Sequence, residues 1–132
     1  MYVVAKQVPC GIFDDPIRVT LLKEDAATCR KAVVQVNSLS GQLSAKNLNQ
    51  ATRWINTKEE HAKHIITTVA EYMLCQRVKR ENFSSQAEYL HALELHHQLM
   101  QAAMKVKQTT DESACDTLEH AIAHVAAMYT KH

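Results

Sequence analysis

"DPIRVTLLKEDAATCRKAVVQVNSLSG", residues 15–41, carries the reading of the fold. Asp15 followed by Pro16 is a helix start. A capping side chain precedes a ring whose fixed φ suits the first helical position and whose missing N–H would have no partner there. Val19, Leu22, Ala26, Cys29 (or Ala32), Val33 and Val36 then recur at the spacing of one helical face. "NSLSG" stops the pattern, with Gly41 expected to supply the break. The stretch predicts an N-terminal extended loop over 1–15 and a helix over about 16–38.

Three more helices follow outward from it. Ser44 opens a second, with a stripe of Leu48, Ala51, Ile55, Ala62, Ile65, Ile66, Val69, Tyr72, Met73 and Gln76. Nothing breaks it before "KRENFSS" (79–85), so it is read as one long helix over about 44–80 that overhangs the first. Ser85 and Glu88 have the capping-box spacing at the head of a third helix, about 85–107. Beyond its main stripe, Leu95, Ala102 and Val106 add apolar residues that suggest a second buried face, against another subunit. Asp111 caps a fourth helix, about 111–131, with Leu118, Ala121, Ile122, Val125, Met128 and Tyr129 inside. Short connections make neighbours antiparallel. The expected fold is all-α, a single domain over 1–132 forming an up-down-up-down four-helix bundle.

Composition agrees and excludes several functions. Two glycines and two prolines leave too few turn formers for a sheet protein. A net charge of +1 gives no basis for binding nucleic acid or an anionic membrane surface. No apolar run is long enough to span a membrane, and "MYVVAKQV" lacks the pattern of a secretory signal. Cys10, Cys29, Cys75 and Cys115 are far apart, which reads as reduced thiols of a cytoplasmic protein. The last three sit at or near apolar positions and read as buried.

All eight histidines fall at residue 61 or later. His61 and His64 are three apart behind Glu59 and Glu60, and His120 and His124 are four apart, both spacings that let two imidazoles share a metal. His96 and His97 lie between them in sequence. Counting heights along antiparallel helices places these groups near one level of the bundle. Each pair reads equally as a solvated helix face, and His96 as a hydrogen-bonded core histidine.

"VPCGIFDDP" (8–16) resembles the start of the mature nickel superoxide dismutases, in which a His-Cys-x-x-Pro-Cys-Gly-x-Tyr hook binds nickel ahead of a four-helix bundle. Pro9, Cys10 and Gly11 match, and Phe13 stands at the tyrosine position. "TKEEHAKH" (57–64) and "LELHHQL" (93–99) are similar to segments of the family's second and third helices, and the register sets His61 at a family arginine. The hook positions for the first histidine and first cysteine hold Ala5 and Lys6, so nickel bound by such a hook is not expected. The resemblance implies a superoxide dismutase-like enzyme with superoxide as substrate, in a homo-oligomer. The histidine spacings point to a histidine-ligated metal, with His61, His64, His120 and His124 as ligands, and the dismutation that the resemblance implies would need that metal to be redox-active. An all-imidazole donor set favours copper. Cys10 reads either as a residual thiolate ligand or as loop packing. Lys58, Lys63 and Arg53 are candidates for steering the anion, and Tyr72 for supplying protons. The alternative is a metal-binding or oligomeric helical bundle without catalysis.

Overall fold

The computed structural model describes residues 13–130. Four α-helices follow in order: α1 (Asp15–Ser40), α2 (Ala45–Thr67), α3 (Gln86–Gln108) and α4 (Glu112–Tyr129). A π-helical segment, Thr68–Arg77, continues α2, and a 3₁₀ turn, Arg80–Asn82, precedes α3. α1 packs on α2 and α4, and α3 packs on the same two helices from the other side. Contacts such as Asp15–Tyr72, Asp25–His61 and Cys29–Lys58 descend α2 as they climb α1, so the two run antiparallel. The result is a four-helix bundle around Leu22, Cys29, Ile65, Met73, Leu99, Leu118 and Val125.

The ends of the helices explain where they start. Asp14, not Asp15, caps α1: its carboxylate accepts from the Ile17 N–H at 3.0 Å. Asp15 is buried instead. Ser44 caps α2 through the Asn47 N–H, and Ser85 caps α3 through the Glu88 N–H. The reciprocal bond from the Glu88 carboxylate goes one residue further back, to the Ser84 amide and hydroxyl. Gly41 has right-handed φ of −69°, and an added Cβ would meet only Ser38 O at 3.6 Å. The break after α1 therefore does not need glycine. Ser40 Oγ takes the Asn37 carbonyl, and the chain restarts at Ser44.

The π segment changes which side chains reach the core. Bonds of the i→i+5 type, such as Val78 N–H to Met73 O at 2.8 Å, widen the turn. The buried set becomes Val69, Tyr72, Met73, Arg77 and Val78. An α-helical stripe places Gln76 inward, but in the wider turn Gln76 is exposed and Arg77 takes the inner place. Its guanidinium grips Asp15 through two bonds, Nε–Oδ1 at 3.0 Å and Nη2–Oδ2 at 3.1 Å, with both side chains 3% exposed. The Tyr72 hydroxyl donates to the same Oδ1 at 2.5 Å, and the Phe13 ring lies 4.2 Å from the guanidinium carbon.

Two further buried polar groups fix the remaining helices. Lys58 is buried, and its Nζ donates to the carbonyls of Val106, Lys107 and Thr109 at 2.8–2.9 Å. It caps the C-terminus of α3, where the helix leaves acceptors unsatisfied and favours a cation. His96 is fully buried: its Nδ1 donates to the Ala92 carbonyl at 2.7 Å, and its Nε2 accepts from the Tyr129 hydroxyl at 2.6 Å. Leu95, Ala102 and Val106, read above as a second face, all contribute to the core of the chain itself.

Replacing Arg77 by Met leaves the Asp15 carboxylate buried without its partner. This should cost about 3–5 kcal/mol of unfolding free energy, read from denaturant midpoints. Asp15→Asn added to that variant should recover much of the loss, since no charge is then stranded. Desolvation by burial holds His96 below its ordinary value of 6.5, against the smaller opposing effect of its bond to Ala92. The unfolded chain then binds more protons than the folded one as pH falls through 6.5. Stability from this group is complete above that pH and is lost on acidification toward the folded value. Unfolding curves at pH 7 and pH 5 should therefore differ less for His96→Gln than for the unaltered chain.

Candidate metal centre

The seam between α1 and α2 carries a compact group of donors. Asp25 follows Leu22 by one turn on α1, at the edge of the buried face, and its side chain is 13% exposed. Across the seam, α2 presents His61 and, one turn on, His64, with side chains 33% and 64% exposed. Asp25 Oδ1 lies 2.8 Å from His61 Nδ1 and 3.8 Å from His64 Nδ1. The two imidazole centroids are 5.5 Å apart. One donor atom from each residue falls within 4.8 Å of the other two. Two donors each about 2.0–2.1 Å from a cation are at most about 4 Å apart. The two Asp25 contacts, 2.8 and 3.8 Å, already lie within that limit.

The electrostatics suit a cation. The carboxylate supplies negative charge at the inner end, and the imidazoles supply borderline nitrogen donors toward the rim. Without a metal, Asp25 Oδ1 accepts the His61 Nδ1–H; a cation taken by the three donors would stand in place of that proton. Exposure rises from Asp25 to His61 to His64, so the group is walled on the protein side and open on the solvent side.

Asp25 is the residue that the sequence reading missed. It belongs to no local motif with the histidines and meets them only across the seam. Matching heights between α1 and α2 would have found it. That matching was confined to α2, α3 and α4.

The other histidines are placed elsewhere. His120 and His124 are exposed on α4 and line a groove that faces α3. His61 is on the α1 side of α2, so the two pairs lie on opposite seams of the bundle. The expectation of one shared level accounted for height along the axis but not for rotation about it. His96 has both ring nitrogens engaged in the core. His91 and His97 are exposed on α3. Cys10, Ala5, Lys6 and His132 lie outside the described residues.

Several supporting expectations change as well. Lys58 cannot steer an anion, because its ammonium is buried against three carbonyls. Tyr72 is 11 residues along the same helical run from His61, about 16 Å at the α-helical rise. Its hydroxyl is buried against Asp15, and burial raises its pKa above the ordinary 10.0. Cys29 and Cys115 are buried as read, but Cys75 is exposed on the π segment. Burial pushes the Cys29 thiol up to about 12, so no thiolate is at hand one turn from Asp25.

The family model described as nickel-containing superoxide dismutase matches residues 4–132. No curated protein and no solved structure matches the chain.

Proposed function

This chain belongs to the nickel-containing superoxide dismutase family, and from that membership we propose that it dismutes superoxide with a redox metal held by Asp25, His61 and His64 in place of the N-terminal nickel hook. The observation that carries this reading is the three-donor group on the α1–α2 seam. The hook itself does not fit nickel. Ala5 and Lys6 supply neither the imidazole nor the thiolate that the family's first two positions provide. Phe13 brings no hydroxyl, and its ring covers Arg77 instead.

A bound redox metal supplies the one-electron acceptor and donor that two superoxide anions need to become dioxygen and hydrogen peroxide. The chain's own residues do the rest. Asp25 orients His61 and offsets part of the cation's charge from the buried side. His64 stands at the rim, where it would hold the metal beside solvent, open to water or substrate. Lys63 and Arg53, exposed on α2, add positive potential on the approach of an anion. Protons enter from water at the same open side, since Tyr72 is remote and already bonded.

Copper is favoured because it heads the affinity order for divalent ions at nitrogen sites. The Asp25 carboxylate supports iron(II) as a second reading, because two histidines and one carboxylate with open positions are a known donor set for that ion. The chain is read as a cytoplasmic homo-oligomer. Exposed Leu43, Leu48 and Ile55 around the start and first half of α2, with Leu90 and Met104 on α3, support assembly.

Loading the chain with copper, iron, nickel, zinc or manganese in turn, then measuring retained metal and superoxide consumption, tests the proposal. Copper or iron should be retained with turnover. His61→Ala and Asp25→Ala should each lower metal affinity and activity together, by at least about tenfold. Retained metal without turnover supports the non-catalytic binding alternative. Unchanged metal content in both variants sinks the site.

A further inference from the structure

The α3–α4 seam is not closed along its length. Ala102 and Ala121 are both on that seam, and with so little side chain there a groove of about 430 Å³ remains. His120 and His124 line one wall. Their i,i+4 spacing stacks them one turn apart, and their common groove shows that they share a face. Gln98 and Gln101 carry amide oxygens on the opposite wall. Lys105 and Thr117 also line it, at the end nearer the α3–α4 connection.

We propose that His120 and His124 form a second metal site, exchangeable and separate from the Asp25 group, that takes borderline divalent cations such as zinc, copper(II) or nickel(II). Two neutral imidazoles favour these ions over calcium, magnesium or manganese, which prefer oxygen. Among the described residues, no carboxylate lines this groove. The acidic side chains around it are engaged: Asp116 and Glu119, which flank His120 on its other side, bond Arg30, with Glu119 Oε2 2.7 Å from Arg30 Nε, and Glu94 accepts from Gln98 Nε2 at 3.1 Å. Both histidines are exposed, so binding need not desolvate a charge. The groove has room for water or a small ligand to complete the coordination shell. Two protein nitrogens without a charged ligand make a weaker, faster-exchanging site than one with a carboxylate. Such a site can hold metal that the protein acquires or releases without taking part in turnover.

Zinc is the probe, since it is redox-silent and leaves imidazole resonances sharp. Titrating the full chain with zinc against a competing chelator should resolve a tighter and a weaker site. His120→Ala and His124→Ala should each weaken the second at least about tenfold and leave the first in place. Filling the weaker site should shift the ring resonances of His120 and His124. His97→Ala, an exposed histidine outside the groove, should leave both sites intact. Unmoved His120 and His124 resonances, or an unchanged weaker site in His124→Ala, overturns the proposal. His61→Ala reports separately on the Asp25 group. If it leaves the tighter site unaltered, the earlier reading fails while this one stands.

Discussion

The ion pair of Asp15 with Arg77 sets the register of the bundle. Its two short bonds tie the first turn of α1 to the end of the π segment, and the Tyr72 hydroxyl satisfies the carboxylate further. A buried charge without a partner is costly, so this contact tolerates no slip between the two elements. One residue of slip would turn α2 by about 100° relative to α1 and carry His61 off the seam. The pairing of Asp25 with His61, ten residues up α1, depends on that register. The wide π turn is part of the same constraint, because it brings Arg77 rather than Gln76 to the inner face.

The seams of the bundle differ in the chemistry they leave available. On the α1–α4 side, Arg30 engages Asp116 and Glu119, and the acidic groups are spent on an ion-pair network. On the α2–α3 side, Lys58 is spent on the carbonyls at the end of α3. On the α1–α2 side, Asp25 has only imidazoles as hydrogen-bond and ion-pair partners among the described residues. That difference leaves one carboxylate and two histidines free to accept a cation. Cys29 lies one turn further along α1, and its Sγ is 3.7 Å from the Lys58 carbonyl. Burial keeps it a thiol, so the donor set remains nitrogen and oxygen.

The sequence was most legible where periodicity and punctuation act locally. The stripe from Val19 to Val36 identified α1, and Ser44 and Ser85 marked the caps of α2 and α3. Misreadings arose where a distant group outweighed the local signal. Asp15 looked like a cap, but Arg77 draws it into the core and Asp14 takes the capping role. Gln76 and Cys75 looked inward on an α-helical wheel, and the π turn rotates them to solvent. Lys58 looked like a charge that could steer an anion, and nothing in its neighbourhood announced that the end of α3 would need it. His61 and His64 stood out by spacing, while Asp25 did not, because its relation to them is made across a seam.

The central claim is the place of the metal. Crystals of the metal-loaded chain, with diffraction recorded on either side of the metal's absorption edge, test it most directly. The account predicts an anomalous peak bounded by Asp25, His61 and His64, with ligand distances of about 2.0–2.2 Å. A peak among residues 5–10, or none on the α1–α2 seam in crystals of an active preparation, would contradict it.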